Sequence, residues 1–126
     1  MMDSEKNMDE ATFRLNLKDD IAIVSISGKL NNANTHLFNS WVNQAINKTG
    51  KVILDFSDLQ YICSSNLGIL VSANKRAESK GGQIVLSGMG TRVKNLMDII
   101  GFSKIFKTEE AVFDTVEEAE EHLRAL

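Results

Sequence analysis

The sequence has no proline, a single cysteine and two histidines. Without proline, cis X–Pro turns and their slow isomerisation drop out of the folding problem. One cysteine, Cys63, excludes an internal disulfide and fits a reducing compartment. His36 and His122 stand far apart in the chain, so no metal cluster with zinc-like spacing can be drawn. Apolar runs never exceed a handful of residues, too few to cross a bilayer. A basic excess is missing too. Lys and Arg number 14 against 17 Asp and Glu, for a net charge of −3. That balance argues against a nucleic-acid partner, which demands a basic face. Met1 to Glu10 is polar and mostly acidic, with no apolar stretch after a basic start. The expectation is a cytoplasmic protein with no direct membrane insertion.

What is present is ordinary for a folded domain. Hydrophobic residues make up 43% of the 126 positions and charged residues 25%, so the chain can bury a core. Its length allows one domain, expected over residues 11–126, with 1–10 as a flexible N-terminal tail. Phe13, Leu15 and Leu17 alternate with polar residues, as in a half-buried strand. Lys18-Asp19-Asp20 makes a hairpin turn into a β-branched strand, Ile21 to Ser27. Leu37, Phe38, Trp41, Val42, Ala45 and Ile46 fall at helical spacing. Val52-Ile53-Leu54 and Ile84-Val85-Leu86 read as strands buried on both faces. Between them Ser57 to Ser65 reads as a loop, followed by a helix running to about Lys80 and stopped at Gly81-Gly82. Val93, Leu96, Met97 and Ile100 mark another helix, stopped at Gly101. Ile105-Phe106 reads as a brief last strand. Asp114 and Thr115 are each spaced from a glutamate as in a capping box for a terminal helix. The predicted order is β-β-α-β-α-β-α-β-α, an α/β fold with a mixed sheet covered by helices.

The usual signatures of catalysis are weak here. Gly88-Met89-Gly90 lacks the third glycine of a dinucleotide fingerprint and the Lys-Ser/Thr of a phosphate loop. Neither histidine is placed near Cys63 by sequence, so a small half-buried thiol is the simpler reading. Asp55 and Asp58 flank the end of a buried strand, where turn formation accounts for both. Lys75, Arg76 and Lys80 read as a solvated helix face. No catalytic residues are assigned, and no metal. One stretch differs, from Asp55 through Tyr61-Ile62-Cys63-Ser64-Ser65-Asn66-Leu67-Gly68 to Leu70. It carries two adjacent serines at a loop-to-helix junction. Ser64, Ser65 and Asn66 are all good N-caps, so capping alone would explain them. The same place also suits a reversible phosphate, which would meet free N–H groups and the positive end of the helix dipole.

This stretch resembles the STAS domain, the fold of bacterial anti-sigma factor antagonists. The family's wording is close to Asp-Leu-Ser, a few residues, then Asp-Ser-Ser-Gly-Leu-Gly. Ser64 takes the phosphoacceptor place, Ser65 the second serine, and Leu67-Gly68 the closing pair. Cys63 stands where the family has aspartate and Asn66 where it has glycine. The likeness extends from the first hairpin to the last helix, including Ile84 to Ile100 and Gly101 to Phe106. It implies a STAS-like mixed sheet and a bacterial binding protein rather than an enzyme. The implied partner is an anti-sigma factor that is also a serine kinase. Binding it frees a sigma factor for transcription, phosphorylation at Ser64 (or Ser65) releases it, and a serine phosphatase restores it. Cys63, Ser64, Ser65, Asn66 and Leu67 are the implied contact residues. ATP belongs to the kinase, so the domain itself needs no cofactor. STAS proteins similar to this one also serve as subunits of membrane-associated lipid-transport ABC complexes, or as phosphorylated signalling scaffolds without sigma release.

Overall fold

The computed structural model describes the backbone of Ser4–Lys6 and residues 11–126. Seven strands and six α-helices appear among them, with a 3₁₀ turn at Asn32–Asn34 between β3 and α1. In chain order they are β1 (Ser4–Lys6), β2 (Ala11–Lys18), β3 (Ile21–Leu30), α1 (Thr35–Lys48), β4 (Lys51–Asp55), β5 (Leu59–Ile62) and α2 (Ser65–Ser79). Then come β6 (Gln83–Ser87), α3 (Thr91–Ile100), α4 (Phe102–Ile105), α5 (Thr108–Ala111), β7 (Val112–Phe113) and α6 (Val116–Arg124). The sheet runs β1-β2-β3-β4-β6-β7, with β5 pairing β3 beyond the end of β4. β1, β2 and β3 are antiparallel neighbours, and the remaining pairings are parallel. This is the mixed α/β sheet that the sequence predicts.

The period-two pattern divides the strands between two cores. Phe13, Val24, Ile26, Val52, Leu54, Ile84 and Leu86 face the larger one, under α1, α2 and α3. There Phe13 stacks on Trp41 at 5.9 Å between ring centroids. Ile21, Ile23, Ile53 and Val85 point the other way, onto Ala119 and Leu123 of α6. β4 therefore contributes to both cores, which is why Val52-Ile53-Leu54 is apolar without alternation. Amide exchange is expected to be slowest at Val52 to Leu54, well below the rates at Arg14 and Asn16. The reverse order would be incompatible with β4 lying inside the sheet.

Three readings need correction. The segment 57–65 is not a loop throughout, because Leu59–Ile62 forms β5. Leu59 and Ile62 are buried and the two residues between them exposed, so no alternation marks the strand. Its register with β3 shifts at Gly28/Lys29, as at a bulge. Ile105-Phe106 is not the last strand. Gly101, with φ of 94°, ends α3 and leads into the short helix α4, and Phe102 stacks on Phe106 at 4.6 Å. The last strand is Val112–Phe113, paired with Leu86 and Ser87. Two apolar residues in a row cannot set a period, so strand and helix were not separable there. Within the predicted tail, Ser4–Lys6 pairs antiparallel with Thr12 to Arg14, so that part belongs to the sheet. Residues 1–3 and 7–10 lie outside the described residues.

Candidate functional site

The two serines sit where β5 turns into α2, at the end of the sheet to which the parallel strands run. Cys63 is tied to the sheet by its N–H, which donates to Leu30 O at 3.0 Å. The helix then opens on hydrogen bonds from Asn66 N to Cys63 O and from Leu67 N to Ser64 O, both 3.1 Å. Asn66 is fully buried, and its Nδ2 donates to Leu30 O at 3.2 Å and lies 3.4 Å from both Cys63 O and Cys63 Sγ. The Asn66 side chain thus ties the start of α2 to the end of β3. Leu67 is half-buried against the larger core.

The two serines have different surroundings. Ser65 Oγ donates to Asn32 Oδ1 at 2.8 Å and lies 3.1 Å from Cys63 Sγ and 3.3 Å from Thr35 Oγ1. Asn32 itself is held by its neighbours. Asn31 Oδ1 accepts from Ala33 N and Asn34 N, while Asn34 Oδ1 accepts from Asn31 N, closing a reciprocal capping box. Buried Asn34 also donates to Lys29 O at 2.8 Å. The asparagine-rich run therefore folds into a short 3₁₀ turn that presents Asn32 to Ser65. Ser64 is exposed, and its side chain makes no capping hydrogen bond. Its dihedrals, φ −63° and ψ −28°, are already helical, unlike the extended backbone of a capping residue.

Capping therefore does not explain Ser64. By contrast, Thr115 is extended, and its Oγ1 accepts from Glu118 N at 3.1 Å. Thr115→Ala is expected to cost about 1 kcal/mol of stability, and Ser64→Ala close to none. Chemical denaturation of the two variants checks the contrast. Equal losses would mean that Ser64 caps after all.

Of the residues singled out in the sequence, Cys63, Ser64, Ser65, Asn66 and Leu67 come together as expected, being contiguous. Asn32 and Thr35 join them across 30 or more positions, as the bonds to Ser65 show. A cleft of about 380 Å³ opens from the same end of β3, lined by Lys29, Asn31, Gln60, Tyr61 and Arg92. Gln60 and Tyr61 lie in the stretch singled out from the sequence, though no role was given to them, and the other five were not picked out. The only early signal was the density of asparagine between Asn31 and Asn34, a composition that favours caps and turns. His36 is exposed, and no group of three metal-ligating side chains exists among the described residues. No helix among them is long and apolar enough to cross a membrane.

Comparison with known proteins bears on the family and the fold. A Thermotoga maritima protein with the provisional name of anti-sigma factor antagonist is 32% identical over 114 residues, covering 89% of this chain and 97% of its own. Its crystal structure superposes with a TM-score of 0.75. The anti-sigma F factor antagonist of Paenibacillus polymyxa is 28% identical over 87 residues, 68% of this chain and 74% of that one. The unphosphorylated anti-sigma factor antagonist SpoIIAA shares the fold, with a TM-score of 0.72 at 19% identity over 90% of this chain and 97% of that one. The sequence profile of the STAS domain matches residues 12–119, nearly the whole described fold, and the chain belongs to that family.

Proposed function

We propose that this protein is an anti-sigma factor antagonist, switched by reversible phosphorylation of Ser64. It is a binding module with no catalysis of its own. Its partner is an anti-sigma factor that acts as a serine kinase, and a serine phosphatase resets it. Binding draws the anti-sigma factor away from its sigma factor. The contact surface is centred on Cys63, Ser64, Ser65 and Leu67, with Asn32 and Tyr61 at its margin, while Asn66, fully buried, supports it from beneath.

The observation that carries the reading is the contrast between the two serines. Both serines are exposed, but the Ser64 hydroxyl is not spent on capping, so it is open to a kinase active site. Ser65 is held by Asn32 and Cys63, and phosphorylating it would first require breaking those bonds. A phosphate on Ser64 would sit at the first turn of a 15-residue helix, where free N–H groups and the dipole favour an anion. Modification is thus compatible with the folded domain, while its added charge of about −1.5 to −2 alters the surface. Cys63 brings no carboxylate beside that charge.

Incubation with the cognate kinase and ATP, followed by mass spectrometry, is expected to place phosphate on Ser64, with none on the Ser64→Ala variant. Phosphate on Ser65 alone would shift the acceptor by one residue. Phosphate on neither serine would remove the switch.

A further inference from the structure

The α6 face of the sheet holds a second feature, separate from the serines. Pairing places Arg14, Ser25, Asp55 and Ser87 in one row across β2, β3, β4 and β6. The next row is Thr12 and Ser27. α6 covers the apolar rows below, Ile23, Ile53 and Val85, and stops short of these polar ones. What remains is a cleft of about 300 Å³ lined by Thr12, Arg14, Ser25, Ser27, Asp55, Ser57 and Asp58. It lies at the carboxyl ends of the parallel strands, where open α/β sheets take their ligands.

Among the described residues, Arg14, Asp55 and Asp58 make no ion pair. Arg14 and Asp55 are two strands apart, roughly 10 Å between backbones, with Ser25 between them. They face one cleft without reaching each other. Asp55 is oriented by its own turn, Oδ1 accepting from Ser57 N at 3.1 Å. At the far end of the row the Ser87 hydroxyl is buried and has no partner among the described residues. A guanidinium facing two carboxylates over a floor of hydroxyls suits a small molecule that carries both charges.

We propose that this cleft binds a free α-amino acid. Arg14 takes the carboxylate as a two-pronged donor, and Asp55 and Asp58 take the ammonium. Ser25 and Ser27 offer hydroxyls between them. Two carboxylates against one guanidinium leave the cleft net negative, so basic and neutral amino acids bind better than acidic ones. No step of the phosphorylation switch enters this proposal.

The test is titration of the isotope-labelled protein with glycine, L-alanine, L-lysine and L-glutamate to about 20 mM, past the millimolar affinity of a weak site. Amide resonances of Ser25, Ser27, Ser57 and Asp58 are expected to shift and saturate, with L-glutamate weakest. Arg14→Ala and Asp58→Asn, both at exposed positions, are each expected to weaken binding about tenfold and to keep the folded spectrum. Ser64→Ala leaves the titration unchanged. Acetate and methylamine, with one charge each, produce no saturating shift. Absence of saturation with every amino acid, equal shifts from acetate or methylamine, or unchanged affinity in Arg14→Ala would each overturn the proposal.

Discussion

Ser64→Asp is expected to bind the anti-sigma partner about 30-fold more weakly, while folding at least as well as the parent. The two effects have opposite signs for physical reasons. In the free domain the new carboxylate lies at the N-terminus of α2, where the dipole stabilises it by about 0.3–1 kcal/mol. In the complex the same charge must be desolvated or must meet the partner's surface. Two unit charges 4 Å apart near a surface interact by about 4 kcal/mol. Half of that, about 2 kcal/mol, is a factor of about 30 in Kd. Phosphoserine, carrying more charge, is expected to weaken binding further. Ser64→Ala removes a hydroxyl that makes no cap and is expected to bind like the parent. Calorimetric titration against the partner, with thermal unfolding of each variant alone, separates the two effects. Unchanged affinity in Ser64→Asp would place the contact surface elsewhere.

The largest loss of stability is expected from Gly82→Ala, at the junction of α2 and β6. A β-carbon there would lie 2.1 Å from the Gly50 carbonyl oxygen and 2.3 Å from its carbon. Neither chain can step aside easily. Gln83 N donates to the same Gly50 oxygen at 2.9 Å, and Gly82 N donates to Ala77 O at 2.9 Å. The methyl must therefore break the start of the β4–β6 pairing or move the end of α2. We expect a loss of about 3 kcal/mol or more, the upper range for overpacking. Gly68→Ala is the internal comparison. Gly68 lies within α2 with no described neighbour outside that helix's backbone within 4 Å of its would-be β-carbon, so alanine is expected to stabilise by up to about 1 kcal/mol. Denaturant midpoints at constant slope measure both. A mild effect at Gly82 would show that the two backbones separate readily.

Strong local periodicity was legible in advance. α1, α2, α3 and α6 show apolar stripes or caps that survive in the structure, including the bond from Glu118 N to Thr115 Oγ1. β4 and β6 declared themselves as unbroken apolar runs, because a strand covered on both faces cannot alternate. β5 and β7 did not. They have four and two residues, too few for a period, and their pairing with β3 and β6 supplies what their own sequence lacks. Ser4–Lys6 likewise has no apolar pattern and is a strand because β2 offers a free edge.

The same division holds at the site. By itself the sequence determined the fold class, the absence of a disulfide, the motif from Cys63 to Gly68 and the place of its serines at a helix start. Each depends on residue type and spacing along a short piece of chain. Only the tertiary structure decided that Asn32 holds Ser65 while Ser64 is left open, because that bond joins residues 33 positions apart. Sheet register likewise put Arg14, Ser25 and Asp55 in one row, although they come from three separate strands. Local physics chooses a helix or a strand, but which side chains share a surface depends on how those elements are paired, and pairing is a property of the whole chain.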